Sequence, residues 1–559
     1  FYERRARRIL PALFFMLMIM LPFSYIVLVP SDLKEYSLSN IFSIGFTSNY
    51  FFYFNEIVYG SKDGLLKPLL HTWSLGVEEQ FYIFFPILMI LIFNKNWSLK
   101  KFFFSFFLFS FLLASYLSFT NIQLSFFSLP TRIWELLCGS LVAYLIFFNK
   151  INFVKKRLIN FLSYLGMISI FLSFVLFERN TYHPSYLTIF PVIGTCLILI
   201  NFNAQNIVHK ILSSKIFVFV GLISYSLYLY HFPIFSLTRY YSLVAGYNLY
   251  GKIAIMLVVF LISYLSYNFI EKPFRNKKKI NINKFLSILT LSIFLMLFFN
   301  SLILKNKIQN KKFDIVKEFS LDNNIYKSEK NKYPYNDKLK KNKINILIIG
   351  NSHSADTYII FKELYANNDD LNFIRFNTQV RCLKDLSENQ LCKKKLKKEK
   401  YELLKMSDYL VFSTSWNEDD VDFLESILKE LNHEKTKTII MSSSPTFHWT
   451  NVFTVLDKFV LQNYKLPSPE QTKQLEEKLF TQIPNSVFER NKRLKKISKE
   501  NGLTYLDKFK YTCDLNKKRC KILTDQYKKI YYDLGHYTLD GSFYFARLFK
   551  NLGWSELFK

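Results

Sequence analysis

Nine apolar stretches, each long enough to cross a bilayer, crowd into the first 304 residues of this chain. They run near 8–29, 76–94, 102–121, 131–148, 159–177, 185–203, 216–238, 250–270 and 284–304. Each is close to the ~20 residues a helix needs to span a hydrocarbon core. A further stretch, 37–55, is apolar and aromatic but dotted with Ser, Asn and Thr; it reads as an interfacial or re-entrant piece, or as one more span. From residue 305 onward the apolar runs are short and strand-like in a polar, Lys-rich background. Length and this uneven distribution imply an α-helical membrane domain over 1–304 and a soluble domain over 344–559. Residues 305–343, dense in Lys, Asn and Asp, read as a linker or irregular extension between them.

The net charge of +30 would suggest nucleic acid in a soluble protein. Here the basic residues fall in alternate loops, which is a topology signal. Arg4, Arg5, Arg7 and Arg8 precede the first span; Lys95, Lys100 and Lys101 follow the second; Lys150, Lys155, Lys156 and Arg157 follow the fourth. Lys210 and Lys215 follow the sixth, and Lys272, Arg275, Lys277, Lys278 and Lys279 the eighth. The positive-inside rule puts these loops in the cytoplasm, and an odd number of spans then exports the C-terminal half. The cysteines agree. Cys138 and Cys196 lie within spans, as packing residues. Cys382 with Cys392 and Cys513 with Cys520 are close neighbours in the soluble half. Two local pairs fit two disulfides and an oxidising compartment; the alternative is four unrelated thiols. A nucleic-acid partner is not expected.

Ionisable residues recur where lipid should surround them, and such residues mark function by default. His71, Glu78 and Glu79 sit at one end of a span, followed by Arg132 and Glu135, Tyr225 and His231, then Glu271 and Arg275. Arg132 and Glu135, three apart, could simply neutralise each other on a helix face, and His231 could be interfacial. Together these islands suggest a polar cavity through the bundle.

In the soluble half, apolar runs at 344–349, 372–376, 409–413, 438–441 and 503–506 alternate with amphipathic stretches, the pattern of a parallel, flavodoxin-like α/β sheet. The first run breaks on Gly350-Asn351-Ser352-His353, and Asp533-Leu534-Gly535-His536 lies near the C-terminus. A strand ending in Gly-x-Ser raises a hydroxyl at the carboxyl edge of a sheet, before a helix whose amides can hold an oxyanion. A late Asp-x-x-His offers a base and the carboxylate that orients it. Ser352, His536 and Asp533 are therefore the candidate nucleophile, base and orienting acid. His448 and Trp449 read as loop residues, the aromatic ring being able to stack on a sugar.

Read in order, Arg4-Arg5-Ala6-Arg7-Arg8-Ile9-Leu10-Pro11, Leu70-His71-Thr72-Trp73-Ser74-Leu75-Gly76-Val77-Glu78-Glu79-Gln80-Phe81-Tyr82, Thr131-Arg132-Ile133-Trp134-Glu135-Leu136, Ser224-Tyr225-Ser226-Leu227-Tyr228-Leu229-Tyr230-His231 and Glu271-Lys272-Pro273-Phe274-Arg275 resemble the signatures of the membrane acyltransferase-3 family. The soluble half resembles the SGNH-hydrolase domain fused to many of its members. The resemblance implies a multi-pass protein of the bacterial inner membrane with its C-terminal domain on the periplasmic side. It implies O-acetylation of a cell-envelope glycan, such as lipopolysaccharide O-antigen, with cytoplasmic acetyl-CoA as the acyl donor and no metal. Arg4, Arg5, Arg7 and Arg8 match the family's basic cluster, suited to forked contacts with CoA phosphates. The family's usual first two spans, with their Arg-x10-His signature, have no match here, and the chain opens without Met; an N-terminally incomplete membrane domain is expected. In the SGNH pattern, Asn351 stands where Asp is usual, Asn417 is the candidate oxyanion-holding Asn, and the Gly donor has no counterpart around Gln379-Val380-Arg381. The rival expectation is a membrane-anchored SGNH esterase or deacetylase. A transporter-like bundle without chemistry would leave the Ser and Asp-x-x-His blocks unexplained.

Overall fold

The computed structural model describes residues 1–55, 64–148, 156–178, 181–200, 206–245, 249–308, 319–383, 403–430, 437–447 and 453–558. Two compact units emerge, one built from Phe1–Ser242 and Gly246–Asn310, the other from Lys311–Lys559 with the short piece Leu243–Ala245.

In the first unit, six helices among the described residues are long and apolar enough to cross a membrane: Tyr2–Val27, Thr72–Asn94, Leu99–Thr120, Lys215–Tyr241, Leu249–Arg275 and Ile282–Leu304. Three shorter apolar helices, Ile133–Phe147, Asn160–Leu176 and Tyr186–Ile200, fall on the remaining expected stretches. Large side chains such as Phe147 and Phe174 are exposed on these helices, as lipid-facing residues would be. The 37–55 stretch is not one long helix. It falls within Pro30–Ile44 and Ser48–Phe54, which turn at Phe46 with φ of 54°. Its polar residues face inward. Asn49 donates to the Phe127 carbonyl at 3.0 Å and accepts from Gln80 at 3.0 Å. A β-carbon at Gly76 would lie 3.0 Å from the Phe46 carbonyl, so Gly76 admits the turn to the neighbouring helix.

The second unit is wound on a five-stranded parallel sheet: β1 (Ile344–Gly350), β2 (Leu371–Asn377), β3 (Tyr409–Phe412), β4 (Lys437–Met441) and β5 (Thr504–Leu506), in the order β2-β1-β3-β4-β5. All five fall on expected apolar runs. The Ile-Leu-Ile-Ile run of β1 is buried throughout, because helices cover both faces of such a sheet. On one face Leu347, Ile349, Leu410 and Phe412 pack with Val421, Leu424 and Leu494. On the other, the helix Ser354–Leu364 lies beside Leu539–Asn551, with Phe361 against Phe373, Phe549 and Phe558. The strand order reverses between β1 and β3, and a ligand crevice belongs at the carboxyl ends of the strands at such a point.

Cys513 and Cys520 open and close a small antiparallel pair, β6 (Cys513–Asp514) and β7 (Arg519–Cys520), and are joined by a disulfide as expected. Cys382 is also disulfide-bonded; Cys392, its expected partner, lies outside the described residues, as do His448 and Trp449. Cys138 and Cys196 are free.

The expected linker needs correction in its second half. Phe319 and Leu321 are buried, and Asp322 caps a helix over Asn323–Asn331. That helix sends Lys330 into the soluble unit, where the residue is 3% exposed. The sequence read as solvated because lysines usually are; here the ammonium has an internal partner.

Gly350 carries a conformational prediction. A β-carbon there would lie 2.1 Å from the Ser413 carbonyl oxygen and 2.7 Å from its carbon, so the end of β1 rests directly on the backbone that leaves β3. Gly350→Ala should destabilise the soluble unit by on the order of 1–3 kcal/mol or more, the scale of forced overpacking. Thermal unfolding would show it, and an unchanged midpoint would refute the contact.

Candidate active site

Immediately after Gly350 the chain makes a tight turn that Asn351 closes. Its Oδ1 accepts from the His353 amide at 3.1 Å and from the Ser415 amide at 3.2 Å. An amide oxygen thus does what a carboxylate would do here, tying the β1 turn to the loop after β3. Ser352 is left exposed on the turn, ahead of the helix Ser354–Leu364, and its own N–H donates to no group among the described residues.

The partner loop comes from the far end of the chain. Tyr531 and Tyr537 pair across an antiparallel bridge, so Asp533 and His536 sit on the turn between them. Asp533 Oδ1 accepts from the Gly535 and His536 amides at 3.0 and 2.8 Å. Both its oxygens reach His536 Nδ1, at 3.0 and 2.8 Å. His536 Nε2 meets Ser352 Oγ at 2.7 Å. With Nδ1–H donating to Asp533, Nε2 presents the lone pair that accepts the serine proton. Burial alone would raise the Asp533 carboxyl; hydrogen bonds from the His536 ring, with those from the two amides, outweigh it and hold the group below its ordinary value. The orienting carboxylate therefore stays charged through the neutral range.

Beneath Ser352, His536 and Asp533 lies a polar layer that the sequence did not announce. The His353 ring stacks on His536 with centroids 4.1 Å apart at 17°. Burial first, then the nearby His536, Lys508 and Lys330, push His353 well below the usual imidazole value, so it is neutral. Asp356 is buried with Lys330 as its ion-pair partner. Lys508, buried, donates to Ser413 Oγ at 2.9 Å and Ser444 Oγ at 3.4 Å. His353, Asp356 and His536 bring ligand-type atoms within 4.8 Å of one another. The set suits a cation poorly, because Lys330 already neutralises Asp356 and Ser352 occupies His536 Nε2.

Asn417 lies at the carboxyl edge, just beyond β3. Its Oδ1 accepts from the Asp420 amide at 2.6 Å, capping the helix Glu418–Glu430. The oxygen is thereby committed, and its amide is the end it has to offer. After β2, the Thr378 amide donates to the Gly350 carbonyl at 2.9 Å; no glycine stands there.

The membrane-unit candidates separate into pairs. Arg5 grips Glu79 with Nη2–Oε1 of 2.7 Å and lies 3.2 Å above the Tyr82 ring. Arg7 is buried, bonding Glu3 at 2.9 Å and the Ile280 carbonyl at 2.8 Å. These two expected phosphate ligands are thus committed to protein partners, and Arg7 pins the loop after residue 274. Arg4 and Arg8 are exposed; all four arginines, with Arg275 and Lys277, line an open cavity of about 450 Å³. Glu271 accepts from Arg275 at 3.4 Å and Ser226 at 3.3 Å, and Glu78 is exposed. Arg132 does pair with Glu135, at 3.1 Å, and also meets His183 Nε2 at 2.8 Å; no sequence signal had marked His183. His71 is buried, its ring 5.7 Å from that of His231, whose Nδ1 lies 2.8 Å from the Tyr228 carbonyl.

Residues 1–268 match the family described as "Acyltransferase domain", and residues 322–551 match the "SGNH domain (fused to AT3 domains)". Among characterised relatives, the chain is 30% identical over 293 residues to the peptidoglycan O-acetyltransferase OatA of Listeria monocytogenes, covering 50% of this chain and 47% of that protein. It is 27% identical over 294 residues to the O-acetyltransferase OatA of Staphylococcus aureus, with the same shares. The chain thus spans about half the length of the curated relatives it matches. A solved structure, the periplasmic domain of a lipopolysaccharide acetyltransferase from Salmonella ser. Paratyphi A, is similar at 16% identity with a TM-score of 0.33, covering 41% of this chain and 96% of that one.

Two measurements follow from this geometry. A serine-directed fluorophosphonate should label Ser352; Ser352→Ala should abolish labelling and His536→Ala should slow it by roughly 10²-fold or more. Equal labelling of all three proteins would dissolve the triad. The second concerns Lys508, which burial pushes down from 10.5 to about 8. Between those values the unfolded chain holds a proton that the folded one has released, so stability rises with pH there. Wild type should therefore gain on Lys508→Met from pH 8 to about 10, by roughly 3 kcal/mol at most, with a constant difference below pH 7. A constant difference across the whole range would contradict the burial.

Proposed function

We propose, from the match to a membrane acyltransferase domain followed by an SGNH domain of the kind fused to such domains, that this chain moves an acyl group, acetyl as the simplest case, from cytoplasmic acyl-CoA to hydroxyls of a cell-envelope glycan. The observation that carries the reading is the continuous chain Ser352–His536–Asp533, in a domain fused to helices of membrane-crossing length.

Ser352 Oγ attacks the acyl carbonyl while His536 Nε2 takes its proton, forming a tetrahedral oxyanion. The Ser352 N–H and the Asn417 amide are the donors proposed to hold it. Collapse breaks the bond to the leaving group, which departs with the proton from His536, and leaves an ester on Ser352. A sugar hydroxyl then attacks, His536 accepts its proton, and the second collapse returns that proton to Ser352. Asp533 stays ionised and supports the transient imidazolium. Water in place of the sugar gives the esterase alternative from the same intermediate.

The donor side is proposed to be the arginine-lined cavity. Arg4 and Arg8, exposed, with Arg275 and Lys277, offer forked and point charges for the phosphates of CoA, while Arg5 and Arg7 shape the wall. The acceptor is proposed as a glycan of the bacterial envelope on the non-cytoplasmic side. Peptidoglycan, the acceptor in the name of the Listeria relative, and lipopolysaccharide are both of this class.

The test uses the full chain in sealed vesicles with radiolabelled acetyl-CoA. The label should appear on Ser352 and be absent in Ser352→Ala. Arg4→Ala with Arg8→Ala should raise the donor KM by roughly tenfold or more, about the worth of one charge-assisted contact. Wild type that reacts with fluorophosphonate yet takes no label from acetyl-CoA would favour the esterase.

A further inference from the structure

The turn that carries Asp533 and His536 rests on two buried lysine–aspartate pairs, and one short helix reaches both. At one side, Asp356, on the helix that follows Ser352, accepts from the Tyr537 amide at 3.2 Å. Lys330 bonds that same carboxylate and donates to the Tyr537 carbonyl at 3.3 Å. Tyr537 directly follows His536. At the other side, Lys529 lies two residues before Tyr531, the first base of the turn; it bonds Asp457 and Asn323, while Asn323 also donates to Asp457 at 3.3 Å. All four charged groups are 4% exposed or less. Asn323 opens the helix Asn323–Asn331 and Lys330 lies in its last turn; the helix belongs to the stretch leading into the sheet from the apolar half of the chain.

These contacts differ from ordinary packing in what they join. Asp356 belongs to the nucleophile's helix and Tyr537 to the base's turn, and Lys330 touches both. The Ser352–His536 hydrogen bond spans 184 residues of sequence, and this tie fixes its two sides to each other from beneath. Lys330 also lies 5.5 Å from the centre of the Tyr532 ring, whose plane runs nearly parallel to His536 at 13°. A lysine held at three sides has little freedom to report anything but the position of that turn.

We infer that Lys330 is a positioning residue for the triad, and that the helix Asn323–Asn331 is the brace that sets His536 against Ser352. The inference rests on the triad being the reaction centre, and it makes that centre depend on a segment outside the sheet. Withdrawal of the brace would loosen the His536 turn while leaving Ser352 exposed. Chemistry in the soluble unit is therefore conditional on how the segment entering it is seated.

The experiment uses full-length protein and two readouts of the triad alone: the fluorophosphonate labelling rate of Ser352 and hydrolysis of p-nitrophenyl acetate. Lys330→Met by itself leaves the Asp356 charge buried and unpaired, which threatens the fold. Lys330→Met with Asp356→Asn keeps charge balance and an acceptor for the Tyr537 amide. This double variant should hold its thermal midpoint, label ten- to a hundredfold more slowly, and lose kcat with KM unchanged, because about 1 Å of misplacement acts on that scale and Lys330 does not face the substrate. Wild-type labelling by the folded double variant, or a change in KM alone, overturns the inference. Should the double variant fail to fold, Asn323→Ala decides: it should slow labelling at least threefold at constant KM, and an unchanged rate overturns the brace. Wild type that does not label at all sinks the triad itself, a separate outcome.

Discussion

A hydrogen bond of 2.7 Å between Ser352 and His536 is what the soluble unit has to deliver. Neither residue can be moved by its own loop without losing it. The sheet supplies the coarse solution, since parallel strands bring every following loop to one edge. The fine solution is local and polar. Asn351 locks the Ser352 turn onto the Ser415 backbone, Asp533 folds its own turn around His536, and Asp356 links the helix after the one to the turn of the other. The buried charges are tolerable because they are paired, Lys330 with Asp356 and Lys529 with Asp457; unpaired charges at that depth would be destabilising by several kcal/mol.

The membrane unit solves a related problem with the same device. Arg5 with Glu79, Arg132 with Glu135, and Glu271 with Arg275 bring ionised groups of opposite sign together. Guanidinium groups also lie over aromatic rings, Arg5 on Tyr82 and Arg7 on Phe285, in keeping with the weak hydration that lets arginine tolerate such places. Structural neutralisation and function are therefore not rival readings of these residues; a pair can hold a helix junction while its neighbours line a cavity.

How much of this could be read from the sequence depends on how local the signal is. The five strands were legible because apolar runs of strand length recur between amphipathic stretches. Ser352, Asp533 and His536 were legible because each sits in a compact block whose spacing carries the chemistry. The apolar helices announced themselves by length. What escaped were residues whose meaning lies in a distant partner. Lys330 looks like any other lysine in a solvated segment until Asp356 is placed beside it. His183 has no motif of its own and acquires a role only when Arg132 reaches it. Arg5 and Arg7 were grouped with Arg4 and Arg8 by adjacency, yet helical geometry turns the first two toward protein and the others toward solvent. Asn417 was named only from the SGNH resemblance, after Ser415-Trp416, and its cap on the following helix is a matter of backbone geometry.

Asn351 has a consequence for acid tolerance. Where a carboxylate closes such a turn, acidification would protonate it and slacken its hold on the amides it binds; an amide side chain has no proton to gain in that range. It also places no fixed negative charge beside the carbon where a negative oxygen forms. The Asn351 closure of the Ser352 turn is thus indifferent to acid, and the carboxylate that holds the facing His536 is left to Asp533, on the other loop.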